Sequence, residues 1–159
     1  MAAVINVTAG SQAILTIGNT EALSLPGAAD GFVIPFVQDV TVNASPGIVR
    51  YSVLDSSSSK AFTTVNENSI SGNMLLDEEA FFGKSGATNT VELNGLFATS
   101  TAKTKVFFTV AFEGADSGDY YVKGSGFIGG LAPTASMDAA VWISPIEIIV
   151  DGELTTATV

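Results

Sequence analysis

A chain of 159 residues has the length of one domain and buries a substantial core on folding. Hydrophobic residues make up 47% and charged residues 14%, below the roughly 25% of an average soluble domain, so much of the surface is neutral or apolar and implies neighbours. The formal charge of −10 repels nucleic acid, and the absence of cysteine and histidine excludes disulfides, thiol nucleophiles, the usual transition-metal ligand sets and a Ser-His-Asp arrangement.

From the first residue onward, MAAVINVTAG has neither a basic segment nor a continuous apolar stretch. No ordinary secretory signal is expected there, and synthesis and folding in a cytoplasm follow. Apolar residues then recur at period two between Gly, Pro, Asn and Ser clusters, the signature of strands. The expected strands are Ala13 to Ile17, Phe32 to Val42, Ile48 to Leu54, Ser69 to Leu76, Lys105 to Glu113, Tyr120 to Leu131 and Ala139 to Ile149. The fold class is therefore mostly β.

Between the second and fourth of these strands lies a long excursion, 43–68, with a Pro-Gly turn at its start and four serines, Ser56 to Ser59, at its tip. It reads either as an arm that binds a neighbour or as a mobile surface loop. Asp77, Glu78 and Glu79 form the densest acidic cluster. They fit the start of a short helix, Asp77 to Phe82, better than a catalytic carboxylate pair. A second helix is expected over 89–102, capped by Asn89 or Thr90, with Val91, Leu93, Leu96, Phe97 and Thr101 on one stripe; Gly95 weakens it by roughly 1 kcal/mol.

In Lys105 to Glu113, Val106, Phe108, Val110 and Phe112 share a face, and Phe107 on the other face suggests that both sides are covered. The stretch EGADSGDYY reads as a hairpin turn rather than a calcium site, because Glu113, Asp116 and Asp119 lack the twelve-residue loop pattern. GSGFIGG, Gly124 to Gly130, lacks the Lys-Ser/Thr ending of a phosphate loop, so its glycines mark bulges or close backbone contact. Trp142, Ile146 and Ile148 share one face of the last strand and belong to a core or a subunit interface rather than a ligand-stacking site. The longest apolar run, Val141 to Val150, is interrupted by Ser144, Pro145 and Glu147 and is too short to span a membrane. No catalytic, cofactor or metal site emerges. Arg50, Lys60, Lys84, Lys103, Lys105 and Lys123 are too scattered to form a nucleic-acid stripe.

The C-terminal third, YYVKGSGFIGGLAPTASMDAAVWISPIEIIVDGELT, resembles the major tail tube proteins of tailed bacteriophages. The matching positions are Tyr120, Gly124, Gly126, Phe127, Ile128, Ala132, Pro133, Asp138, Val141, Gly152, Glu153, Leu154 and Thr155. Upstream, GSQAILTIG, the strand at Phe36 to Val42, YSVLDSSSSKAF and NSISGNMLLDEEA follow the same order, whereas Phe82 to Thr101 matches weakly. The resemblance implies a single domain over 1–159: a β-sandwich or partial barrel with one flanking helix and a long stacking loop. Such subunits form hexameric rings that stack into a conduit for phage DNA. It implies no enzyme activity and no cofactor. The implied partners are further copies of the chain, other tail proteins and genomic DNA passing without specific binding, in a virion tail assembled in the host cytoplasm. Six copies would carry a charge of about −60 per ring, which lets DNA slide without adhering. The residues expected to carry assembly are Ile48, Arg50, Tyr51, Val53, Ser56 and Ser59 on the loop, and Trp142, Ile146 and Ile148 on the last strand. The alternative class is another β-rich virion or surface module, a decoration protein or an adhesin-like domain.

Overall fold

The structure is a computed structural model and describes residues 13–135, 137–138 and 141–159. The Gly10 to Gln12 start of the early strand motif and Ala139 and Ala140 of the expected last strand lie outside these residues. In chain order the elements are β1 (Ile14–Gly18), α1 (Glu21–Ser24), β2 (Phe32–Val33), β3 (Val37–Asn43), β4 (Ile48–Tyr51), β5 (Lys60–Thr63) and β6 (Ser69–Leu75). They continue with α2 (Glu78–Phe82), α3 (Thr90–Thr101), β7 (Lys105–Ala111), β8 (Tyr120–Gly129), β9 (Ile143–Val150) and β10 (Thr155–Thr158).

Eight strands form one antiparallel sheet in the order β2-β1-β7-β8-β9-β6-β3, with β10 also on β8. Strands β9 and β10 run in line along the same edge of β8: Gly126–Gly129 pair with β9 and Tyr120–Lys123 with β10. The other edge of β8 is taken by β7 through the hairpin that EGADSGDYY makes. The two ends of the strand order meet in one short stretch of chain. The Ile34 N–H donates to the Leu15 carbonyl at 2.9 Å, and the Leu75 N–H donates to the Phe36 carbonyl at 3.1 Å. The sheet therefore curls back on itself as a partial barrel. Pro35 and the positive φ of Phe36, 54°, bend the chain at this corner, which is why the expected strand Phe32 to Val42 is two strands.

Inside the curl, period-two alternation sends Leu15 and Ile17 (β1), Ile70 and Met74 (β6), Val106, Phe108 and Val110 (β7), Ile128 (β8), and Ile146 and Ile148 (β9) into one core. Phe81, Val91 and Leu96 from the helices close it. The outer face of β1 and β7 is covered as well. Thr16 and Thr109 are buried there, and the Thr109 hydroxyl donates to the Ser24 carbonyl of α1. Helix α1 has no counterpart among the expected elements, because four residues are too few for a helical period to show.

Helix α2 starts as its acidic residues suggest: the Asp77 carboxylate accepts from the Ala80 N–H at 3.0 Å. In α3 the expected single stripe is corrected. The helix breaks at Gly95 (φ 83°, ψ 162°), so Val91 and Leu96 are buried while Leu93 and Phe97 are exposed. A Cβ on Gly95 would lie 2.5 Å from the Phe81 carbonyl oxygen and 2.6 Å from the Gly83 nitrogen, so the glycine lets α3 press against the end of α2. Asn89, fully buried, fastens this unit to the sheet. Its Oδ1 accepts from the Val91 N–H at 3.1 Å, and its Nδ2 donates to the carbonyls of Ile17 at 3.0 Å and Asp30 at 3.3 Å.

Candidate assembly interface

The 43–68 excursion is a second, two-stranded sheet in which β4 pairs antiparallel with β5, from Ile48 opposite Thr63 to Tyr51 opposite Lys60. At its root the Glu67 N–H donates to the Ser45 carbonyl at 3.0 Å, and the Ser45 N–H donates to Asn68 Oδ1 at 3.0 Å. At its tip the Ser56 hydroxyl donates to the Ser58 carbonyl at 3.1 Å and accepts from the Ser58 N–H at 3.3 Å. Every residue of both strands is exposed. The main sheet leaves both strands of this hairpin open to water.

Its two faces differ. Val49, Tyr51 and Phe62 share one, with the Tyr51 and Phe62 rings 5.9 Å apart, and Ile48 and Arg50 lie on the other. Leu54 and Val65, beyond the paired residues, are also exposed. Val53 and Ser56 are half-buried, and Ser59 is open to solvent. The structure therefore brings Ile48, Arg50, Tyr51, Val53, Ser56 and Ser59 together on one arm. It corrects the strand Ile48 to Leu54 to four residues, one edge of which is occupied by β5. Phe62 and Lys60, which the sequence reading did not assign to assembly, complete the arm; a run of four exposed residues after a serine tract carries no burial pattern that would have announced a strand.

Trp142, Ile146 and Ile148 do not form one surface. Ile146 and Ile148 point into the subunit core, whereas Trp142 lies before β9 and is 52% exposed, held through its backbone carbonyl, which accepts from the Leu76 N–H at 2.9 Å. The shared parity carried the sequence reading, but Trp142 stands at the very end of the β6–β9 pairing, where half of the residue faces water. Val141 and Met137 are exposed in the same connection.

Gly124 and Gly126 sit on the core face of β8, and neither makes a phosphate loop. A Cβ on Gly126 would lie 2.1 Å from the Ile149 carbonyl oxygen, and one on Gly124 would lie 2.9 Å from Phe108 Cζ. Among the described residues no group of three or more Asp, Glu, His or Cys is placed to hold a metal ion, and no helix is long and apolar enough to cross a membrane. Among the described residues three ion pairs engage half of the lysines and arginines: Lys84–Glu92 at 3.8 Å, Lys105–Asp151 at 2.8 Å and Lys123–Glu21 at 2.6 Å. The hydrogen bond that Lys123 donates to the Glu21 carboxylate, and then the Glu21 charge, raise the Lys123 pKa from its ordinary value.

No protein-family model matches the sequence, and no curated protein matches it. The shape does have relatives. The tail of the empty gene transfer agent particle, refined with C6 symmetry, is similar with a TM-score of 0.64 at 15% identity, over 96% of this chain and 100% of that one. The SPP1 tail tube is similar with a TM-score of 0.66 at 10% identity, over 96% and 80% of the two chains. The chain has the tail-tube fold. The sheath–tube complex of an extracellular contractile injection system shares it, with a TM-score of 0.58 at 14% identity over 93% of this chain and 89% of that one. The fold thus occurs in phage-like particles and in an injection system.

Proposed function

We propose that this chain is a tail tube subunit, a single domain that closes into six-membered rings and stacks them into a conduit. The observation that carries the reading is the tail-tube fold matched along nearly the whole chain, in one case to a tail with C6 symmetry. The exposed β4–β5 arm supports it, since a hairpin with Ile48, Val49, Tyr51 and Phe62 open to water needs a neighbour to cover it. In this reading Ile48, Arg50, Tyr51, Val53, Ser56 and Ser59 dock on the next ring, and Trp142 contributes an exposed aromatic to a subunit contact. Ile146 and Ile148 act from within, by holding β9 in place.

The face of β3 and β6 that alternates with buried Ile70, Gly72 and Met74 carries Asp39, Thr41, Ser69, Ser71 and Asn73, and Glu147 lies on the same side of β9. Beside Pro145 and the exposed Ile149 on the same side of β9, the charges on this face are acidic, which suits a lumen through which DNA passes without adhering. Other tail proteins at the tube ends, a place in the virion tail, assembly in the host cytoplasm and a structural rather than enzymatic role follow from the same reading.

Negative-stain microscopy with native mass measurement tests it. Rings of six and hollow tubes are expected, and a monomer at all protein concentrations refutes the proposal. Deleting Ser56 to Lys60 is expected to leave rings and abolish long tubes; tubes of parent length in that variant would remove the hairpin from the stacking contact.

A further inference from the structure

The sequence contains a single Asn-Gly step, Asn94–Gly95, and the fold places it at the break in α3. Asparagine followed by glycine is the pair most prone to deamidation, because no Cβ hinders attack of the next backbone nitrogen on the side-chain amide carbon. Asn94 is exposed, so water reaches its amide. The peptide group that joins it to Gly95 is instead clamped against the end of α2. The Cα of Gly95 faces the Phe81 carbonyl oxygen and the Gly83 nitrogen so closely that a Cβ would lie 2.5 and 2.6 Å from them. A Cβ on Gly83 would in turn meet the Leu93 carbonyl oxygen and, at 3.1 Å, the Asn94 carbonyl carbon. The Gly95 carbonyl accepts from the Thr99 hydroxyl at 2.8 Å. Two glycines thus let two backbones touch with no side chain between them. Phe82, Leu93 and Phe97 beside the contact face water, so it lies at the margin of the core, where local opening costs least.

We propose that Asn94 is a deamidation site gated by the packing of α2 on α3, intact while the two backbones touch and modified when they part. In the open form the Gly95 nitrogen bonds to Asn94 Cγ, the Cγ–Nδ2 bond breaks, and ammonia leaves with the Gly95 amide proton. Water then opens the five-membered imide at either carbonyl, leaving aspartate or isoaspartate with no change of oxidation state. The two products differ in consequence. Aspartate keeps the length of the backbone and repacks, whereas isoaspartate inserts a methylene where there is no room for a Cβ and holds α2 and α3 apart. The rate in the folded chain is the rate in the unfolded chain multiplied by the fraction of time the contact is open. None of this depends on the tube reading.

The test follows residue 94 of the full chain by peptide mass spectrometry in mildly alkaline buffer, with fragmentation to separate aspartate from isoaspartate. Conversion is expected to be several-fold slower in the folded chain than in urea-unfolded chain, and to accelerate in urea below the unfolding transition and in a Gly83→Ala variant. Chain carrying isoaspartate at 94 is expected to melt below an Asn94→Asp variant. Should Gly83→Ala fail to fold, the urea series on the parent chain decides. An unfolded chain that keeps Asn94 intact overturns the site, and equal rates in folded and unfolded chain, or no acceleration below the transition, overturn the gate. An isoaspartyl chain that melts with Asn94→Asp overturns the claim that the product holds the helices apart.

Discussion

Gly124 offers a quantitative test of why GSGFIGG is rich in glycine. A Cβ at this position would lie 2.9 Å from Phe108 Cζ and 3.3 Å from Leu154 Cδ2. Phe108 is fully buried among Leu15, Ile17, Val106 and Val110, so its ring has little freedom to withdraw. Gly124→Ala is then an overpacking substitution that costs about 1 to 3 kcal/mol, or roughly 2 to 12 °C in Tm at 2–4 °C per kcal/mol for a chain of this size. Trimming the ring with Phe108→Leu creates a void on the same spot, and the Ala methyl fills it. In that background the Gly124→Ala cost is expected to shrink by about 1 kcal/mol or more, a coupling well above the ~0.3–0.5 kcal/mol within which independent sites add. Gly126→Ala serves as the control, because its obstacle is the Ile149 backbone carbonyl at 2.1 Å, which no side-chain trimming relieves. The assay is a double-mutant cycle by urea or thermal melting at one fixed protein concentration, since assembly would otherwise shift the midpoint. Equal Gly124→Ala costs in the two backgrounds refute the packing argument and leave Gly124 without the steric role assigned to it.

Asn89→Ala strands the Val91 N–H and the Ile17 carbonyl inside the protein, so a loss of about 2 to 4 kcal/mol is expected in chemical denaturation. Trp142→Ala is expected to cost only about 1 kcal/mol in a melt, against the ~3–5 of a fully buried aromatic, because half of the residue already faces water; a larger loss would place the ring in the core. Gly95→Ala meets both a left-handed backbone and the Phe81 carbonyl, and should lower Tm by more than Gly86→Ala, which has an equally positive φ but open space around it. The Lys123–Glu21 tether has a raised lysine pKa, so its contribution is fully present below the unfolded value of 10.5 and is lost as pH rises through the folded value. The Glu21→Gln variant should therefore differ from the parent in stability at neutral pH and converge with it above that range.

The sequence by itself determined the strand class, most strand positions and the core faces, because alternation of apolar and polar residues is imposed locally by the period of an extended chain. Val106, Phe108 and Val110 could be read this way; the acidic helix start at Asp77 and the excursion 43–68 were legible from charge and turn residues instead, and the order of segments pointed to the tail-tube fold. What alternation does not encode is where the sheet bends and what lies across from each face. Only the tertiary structure put the corner from Ile34 to Phe36 between β1 and β6 to close the curl, and laid β10 in line with β9 along β8. It also folded Lys60–Thr63 back on Ile48–Tyr51, and broke α3 at Gly95 against the carbonyl of Phe81. The same cause separates Trp142 from Ile146 and Ile148: parity gives three residues one side of a strand, but burial depends on what packs across from each, and Trp142 is half exposed where Ile146 and Ile148 are buried.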